Sequence, residues 1–250
     1  MPRALALVGA TGAMGRLVQE IVALDPAYEI VAGLDSRSSL DALRGVDLVV
    51  DVTLLDVSRR VVDRCLEEDL PVLVGTSGWT APLIDDLRRR IADQGRGTVA
   101  VVPNFSIGSV VGSVLSRVAA TVLPDVELVE IHPRSKPDSP SGTAIHTAHL
   151  ISGARTSRAE PAHADQPARG VHVGGVQVHS LRLGGVHGVQ QAIFSGTEEV
   201  LTISHETYSS QAYAPGIRLA LDALPHRPGL SVGLAELVDL GVVSELSGRA

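Results

Sequence analysis

The chain has one cysteine, Cys65, among 250 residues. That excludes an intrachain disulfide framework, and it excludes a zinc or iron–sulfur site built from four thiolates. Aromatics are almost as scarce, with two Phe, three Tyr and one Trp. A base-stacking surface for nucleic acid needs more of them. Positive charge is also short: 21 Lys and Arg stand against 28 Asp and Glu, a formal net charge of −7. The molecule as a whole therefore offers no field to attract nucleic acid or an acidic membrane. No apolar run is long enough to span a bilayer, which takes about 18 residues or more. The run from Ala4 to Val8 is too short for the apolar region of a signal peptide, and a glycine-rich turn follows it directly. These absences predict a soluble, cytoplasmic protein. Its core must come from Val, Leu, Ile and Ala, which abound in a chain that is 44% hydrophobic and so not intrinsically disordered.

The first hundred residues alternate in type. Strands are expected at Ala4–Val8, Glu29–Asp35, Leu48–Thr53, Val72–Val74 and Thr98–Val102. Helices are expected over Met14–Leu24, through Val61 and Cys65 after a cap at Asp56 or Ser58, and over Ala81–Ala92. This rhythm means a Rossmann-like α/β domain, with a parallel sheet and helices on both faces. The pattern then changes. A helix over Ile107–Leu123 and a strand over Glu127–His132 precede a second helix after Pro140-Ser141-Gly142. A polar stretch from Gly153 to Gly170, with Pro161 and Pro167, reads as a long loop. Strands of antiparallel style follow at Val176–Leu183, Val189–Phe194 and Glu199–Thr207, then a helix over Ile217–Leu224 and an apolar, mixed tail. The expected division is a dinucleotide-binding domain at 1–105 and an α+β domain with an open mixed sheet at 106–214. The segment 215–250 is expected to return to the first domain. The open sheet can cover a helix or another subunit's sheet.

The first strand-to-helix turn reads Gly9-Ala-Thr11-Gly12-Ala13-Met14-Gly15. Glycines there let the backbone turn tightly and approach a pyrophosphate, while the helix N-terminus supplies N–H donors. Its spacing departs from Gly-x-Gly-x-x-Gly by one residue. Asp35 comes 20 residues after Gly15, where an acid accepts from a ribose 2′-hydroxyl. Arg16 and Arg37 lie nearby and suit a 2′-phosphate equally well, so the cofactor is NADH or NADPH. Thr53, Gly75-Thr76-Ser77-Gly78 and Pro103-Asn104-Phe105-Ser106 end the third, fourth and fifth strands. Open sheets bind ligands at those ends, and small hydroxyl side chains there let a nicotinamide lie flat.

The densest chemistry runs from Glu130 to Ala144. A strand delivers His132, a loop carries Arg134 and Lys136, and Ser141-Gly142-Thr143 opens a helix. His132 is of the type that serves as a general acid. A helix start with Ser and Thr hydroxyls is an anion site, and Lys136 beside it suits a carboxylate.

These segments together resemble the dihydrodipicolinate reductases (4-hydroxy-tetrahydrodipicolinate reductases) of bacterial lysine and diaminopimelate synthesis. The resemblance covers nearly the whole chain. It rests on the Gly9–Gly15 turn, Asp51-Val-Thr53, Val74-Gly-Thr-Ser-Gly78, Pro103-Asn-Phe-Ser106 and above all Glu130–Ala144. That last stretch matches Glu-x-His-His-x-x-Lys-x-Asp-x-Pro-Ser-Gly-Thr-Ala at the first His, the Lys, the Asp and the final five residues. The resemblance implies that His132 is the general acid, that Lys136 assists it, and that Ser141, Gly142 and Thr143 bind a substrate carboxylate. Gly75, Thr76 and Asn104 would contact the cofactor, two domains would close over a small dicarboxylate, and the central domain would form a homotetramer. The chain departs from the family at three positions. Pro133 replaces the second His, Ser135 replaces a further His, and Ser210 stands where an Arg is usual. These changes leave open a reductase of another cyclic carboxylated imine, and a non-catalytic dinucleotide-binding relative.

Other features read as structural. The nine histidines show no metal-binding spacing, His146 and His149 included, so no metal is expected. Trp79 and Cys65 read as packing residues. Asp85 and Asp86 with Arg88, Arg89 and Arg90 read as a solvated helix face.

Overall fold

The computed structural model describes residues 1–123, 125–155, 163 and 165–238. Parts of the expected long loop (156–162 and 164, with Pro161) and of the expected C-terminal segment (239–250) lie outside these residues. The chain divides into two compact units, the first made of Met1–Ser106 and the chain from Tyr213, the second beginning at Ile107 and running to Ala212.

The first unit holds β1 (Arg3–Val8), α1 (Ala13–Ala23), β2 (Tyr28–Leu34), β3 (Leu48–Asp51), α2 (Leu55–Glu67), β4 (Val72–Val74), α3 (Ala81–Gln94) and β5 (Thr98–Val101). The sheet order is β2-β1-β3-β4-β5, with every pair parallel. The central strands are buried on both faces: Leu48 through Asp51 and Val72 through Val74 are all buried. Hence they read as continuous apolar runs rather than alternations. Strand β2 lies at the edge and leaves Val31 exposed. Connections leave β1 toward β2 on one side and run from β3 outward on the other, so the strand order reverses between β1 and β3. Ligands bind at such a reversal, beyond the carboxyl ends of the strands.

Two expectations are corrected in this unit. Neither Asp56 nor Ser58 caps α2. The helix starts at Leu55 behind Leu54 and has no side-chain cap; Asp56 sits in its first turn, and Ser58 is buried and accepts a hydrogen bond from Trp79 Nε1 at 3.1 Å. The mixed tail, in turn, contains a strand. After α6 (Ala214–Ala223) comes β11 (Gly229–Val232), which pairs parallel with β5 as the sixth strand of this sheet, followed by the short α7 (Leu234–Leu237). Gly-Leu-Ser-Val alternates, but four residues are too few to mark a strand, and pairing with β5 is what makes it one.

The second unit contains α4 (Ile107–Ala119), β6 (Asp125–Pro133), α5 (Gly142–Ala154), β7 (Val171–Val173), β8 (Val176–Leu183), β9 (Gly188–Gly196) and β10 (Glu199–Thr207), in sheet order β10-β9-β6-β8-β7. The sheet is mixed, as expected: β8 pairs antiparallel with β7 and runs parallel to its other neighbour, β6. The intervening α5 is the crossover that a parallel pair requires. The short β7 was not foreseen. Val126, Leu128, Ala192, Phe194, Val176 and Val178 pack under α5 residues Ala144, Ala148 and Ile151. The opposite sheet face carries Val129, Ile131 and Ile193, with Leu181 and Leu183 exposed.

Candidate functional site

At the strand reversal of the first unit, Gly9 adopts φ +91° and a Cβ on it would fall 2.6 Å from Val52 O. A Cβ on Gly15 would fall 2.2 Å from Gly9 O. Only glycine fits either place. The turn is closed by Gly12 N–H donating to Gly9 O at 3.0 Å and Gly9 N–H donating to Leu34 O at 2.9 Å. Gly12 is the N-cap of α1, so no side chain occupies the first-turn N–H groups, and no acid lies in that turn. Thr11, Gly12 and Ala13 are exposed and Met14 is half-buried. Such a cradle of bare backbone and helix dipole fits a pyrophosphate.

Asp35 follows β2 and is exposed. Its Oδ1 accepts from Arg37 N–H and from the Ser38 hydroxyl, both at 2.9 Å. These bonds, the Arg37 one first, hold its carboxyl below the usual range. Arg37 and Arg16 are both exposed nearby, and Arg16 Nη1 donates to Thr11 O at 2.5 Å.

Below the ends of β3 and β4 lies a knot of hydroxyls around Asp51, which is fully buried. Thr53 Oγ1 donates to Asp51 Oδ1 at 2.5 Å and Thr76 Oγ1 to Oδ2 at 2.9 Å, while Thr53 N–H donates to Thr76 Oγ1 at 2.9 Å. Burial pushes the Asp51 carboxyl above its ordinary range, against the pull of Ser58, Thr53 and Thr76. The hydroxyls of Thr53 and Thr76 thus shape the floor of the sheet edge. Gly75 has no room for a side chain, since a Cβ would meet the Phe105 ring at 2.9 Å. Phe105 itself is buried beneath it. Ser77 is exposed, and Asn104 Oδ1 accepts from Ser106 N–H at 2.9 Å. Trp79 packs as expected and also donates to Ser58.

In the second unit, Val126, Leu128, Glu130 and His132 share one face of β6 through its period-two alternation. Glu130 is fully buried among them. Its Oε2 lies against His132 Nδ1 and accepts from Arg182 Nη1 at 3.0 Å. Its Oε1 accepts from Arg182 Nη2 at 2.9 Å and from Ser141 N–H at 3.3 Å. Burial alone would raise this carboxyl; Arg182, the Ser180 hydroxyl and His132 outweigh it and hold the group below the ordinary range. The other ring nitrogen, His132 Nε2, faces Gly188, where an added Cβ would stand only 3.7 Å away.

After β6 the chain turns through a Lys136 N–H bond to Pro133 O at 3.0 Å. Lys136 Nζ pairs with Asp138 Oδ1 at 2.8 Å, which lowers the Asp138 carboxyl. A cis Ser139–Pro140 bond leads into α5. Ser141 is buried as its N-cap, with Oγ accepting from Ala144 N–H at 3.2 Å, whereas Gly142 is exposed. The Ser141 hydroxyl is committed to the cap, and Gly142 is the exposed residue of the helix start. Pro133 ends β6 opposite Leu183, Arg134 and Ser135 are exposed, and Ser210 opens a 3-10 turn over Ser210–Tyr213.

The residue pattern assigns Glu130 no role of its own, and nothing in it singles out Arg182. A detectable signal existed. An acid on the buried face of an alternating strand, two residues before a histidine, requires a cationic partner. Among the described residues, no group of three His, Cys, Asp or Glu is placed to hold a metal ion. Nor is any helix long and apolar enough to cross a membrane. On α3, Arg88 and Arg89 pair with Asp85 and Asp86 as a solvated face, while Arg90 reaches across to Asp63 at 2.6 Å.

Comparison with known proteins gives consistent matches. Residues 3–105 match the family described as dihydrodipicolinate reductase, N-terminus, and residues 108–238 match dihydrodipicolinate reductase, C-terminus. The chain is 46% identical over 252 residues to the 4-hydroxy-tetrahydrodipicolinate reductase of Clavibacter michiganensis subsp. michiganensis, covering 100% of this chain and 91% of that protein. It is 47% identical to the enzyme of the same name from Clavibacter sepedonicus, covering 96% of this chain and 87% of that protein. Among solved structures, a dipicolinate-bound dihydrodipicolinate reductase from Paenisporosarcina sp. TG-14 superposes with a TM-score of 0.79 at 27% identity, covering 94% of this chain and 98% of that one.

Proposed function

The chain belongs to the dihydrodipicolinate reductase family, and from that premise we propose that it reduces 4-hydroxy-tetrahydrodipicolinate to tetrahydrodipicolinate with NADH or NADPH, in the diaminopimelate and lysine pathway. One observation carries this reading. A single buried carboxylate, Glu130, touches both His132 Nδ1 and Ser141 N–H, so a proton donor and an anion-binding helix start stand one carboxylate apart.

The cofactor's pyrophosphate would rest on the Gly9–Gly15 turn and the α1 N-terminus, where any Cβ at Gly9 or Gly15 would intrude. Asp35 would accept from the adenosine ribose, Arg37 standing by for a 2′-phosphate. The backbone of Gly75, Thr76, Ser77, Asn104 and Phe105, with Thr53, would line the nicotinamide end. When bound, the cofactor supplies a hydride to a carbon of the substrate ring.

His132 gives the proton from Nε2, its Nδ1 being held by Glu130. Lys136 can exchange Asp138 for an anionic substrate, adding positive potential beside that proton. The N–H groups of Gly142 and Thr143 at the α5 start receive a substrate carboxylate, and Ser141 keeps that turn in shape by capping it. We further read the sheet face bearing Ile131, Ile193, Leu181 and Leu183 as the contact surface of a homotetramer, supported by the exposure of the last two. We place the protein in the cytoplasm, in keeping with its one buried thiol. Pro133, which brings no polar group where a second histidine is usual, favours one other reading: a reductase of a different cyclic carboxylated imine.

The test is oxidation of NADH and NADPH, side by side, with freshly generated 4-hydroxy-tetrahydrodipicolinate. Rapid turnover supports the main reading. Turnover on another cyclic imine alone supports the second, and cofactor binding with no turnover on either refutes both.

A further inference from the structure

We propose that Glu130 and Arg182 are positioning residues: one ion pair orients the His132 ring and pins the start of α5, so acid and anion site are set together. This deepens the reading above and rests on it for the reaction.

The argument begins with the carboxylate's capacity. An ionised Glu offers about four acceptor directions. Here Arg182 Nη1 and His132 Nδ1 meet it at Oε2, and Arg182 Nη2 and Ser141 N–H at Oε1, with the Ser180 hydroxyl of β8 also against it. A carboxylate so filled has no acceptor direction left with which to take part in proton transfer itself. Its consequence is geometric. With Nδ1 held by Glu130, the ring has one orientation, and Nε2 is the nitrogen left for proton transfer.

Arg182 is equally committed. It lies opposite His132 in the β6–β8 register. Beyond its two bonds to Glu130, Nη1 donates to Leu181 O at 2.7 Å and Nη2 to Asp138 O at 2.6 Å. Asp138 is also the partner of Lys136. The guanidinium therefore ties β8 to the turn carrying Lys136, while Glu130 ties β6 to the first residue of the α5 cap. A planar fork meets this demand, and an ammonium, which cannot donate in two fixed directions, does not.

The experiment uses the full chain with histidine labelled at its ring nitrogens, in the parent, Glu130→Gln, Arg182→Lys and the doubly neutral Glu130→Gln/Arg182→Gln. The parent is expected to show His132 with Nδ1 protonated and held by Glu130. Glu130→Gln should lose that signature and lower kcat by about 10- to 100-fold, the cost found when a partner that orients a metal-binding histidine is removed, with KM changed far less. Arg182→Lys keeps the charge but not the fork, and should lose only part of the rate that Glu130→Gln loses. Glu130→Gln leaves a cation without its partner and so lowers stability as well as rate. The double variant removes both charges and is expected to melt near the parent while kcat stays low. If kcat returns to the parent value together with stability, the pair is merely structural and the proposal fails. An unchanged His132 ring signature in either Glu130 variant overturns it as well. The ring signature is read without substrate, so an inactive parent would refute the reaction assigned above and leave this test intact.

Discussion

Among the described residues, each unit buries one carboxylate in its sheet, Asp51 at the end of β3 and Glu130 within β6, and the two are handled in opposite ways. Asp51 in the first unit and Glu130 in the second are both inaccessible to solvent. Asp51 is surrounded by hydroxyls, which cannot offset the loss of water, and its carboxyl is pushed up. Glu130 is met by a guanidinium and an imidazole, and its carboxyl is pulled down. Neutral donors shape a surface, whereas cations fix a charge. The first unit presents backbone to a ligand and needs a rigid floor. The second presents a proton donor and needs an anchored charge.

The largest expected effect separates the units by chemistry. His132→Gln removes the proton donor and should lower kcat by about 10²- to 10⁴-fold. Cofactor binding, followed by the fluorescence of NADH, should stay at the parent value because the Gly9 turn belongs to the first unit. Loss of cofactor affinity in this variant would break the division of labour. Next in size is the stability of Glu130→Gln. Taking one partner from a buried ion pair costs about 3–5 kcal/mol, with the lower end expected here because the Arg182 side chain keeps 20% of its exposure. Thermal unfolding reads it directly.

Gly15→Ala tests the floor of the first unit. Its Cβ would stand 2.2 Å from Gly9 O, a clash with backbone that no rotamer relieves. Overpacking of this kind costs about 1–3 kcal/mol, and cofactor affinity should fall with it while the His132 ring signature stays put. This site was legible in the sequence because its signal is local: glycine spacing, a strand before and a helix after. The same holds for His132, Lys136 and the Ser141 cap, which lie within ten residues of one another. Arg182 was not legible in that way. It stands 52 residues from Glu130 and meets it only through the register of β6 on β8. The parallel sense of that pair was not legible either, since polarity of pairing leaves no mark on a single strand. Strand β11 escaped for a related reason: with so short and mixed a sequence, its evidence is β5.

A smaller effect concerns the choice of cofactor. Asp35→Ala removes an acceptor placed for a ribose hydroxyl. NADH affinity should fall. NADPH, whose 2′-phosphate is repelled by the carboxylate and attracted by Arg37, should bind as well as before or better. Equal loss for both cofactors would mean that Asp35 serves only its own turn through Arg37 N–H and Ser38.

The smallest effect bears most directly on the two carboxylates. Asp51→Asn keeps shape and acceptor, and the hydroxyls around it can rotate to accept from the amide, so stability should change by about 1 kcal/mol or less. The pH dependence is the sharper reading. A carboxyl raised on folding contributes stability that is fully present below its ordinary value, about 3.9 for Asp, and loses it as pH rises through the raised value. Asp51→Asn should therefore gain on the parent as pH climbs from about 4. Glu130 is lowered on folding, so its contribution is present above about 4.3 and is lost as pH falls through the lowered value. The deficit of Glu130→Gln should accordingly be greatest near neutrality and shrink in acid. Melting curves of the two variants and the parent across this range should give differences of opposite slope. Slopes of the same sign would mean that hydroxyls serve Asp51 as well as cations serve Glu130.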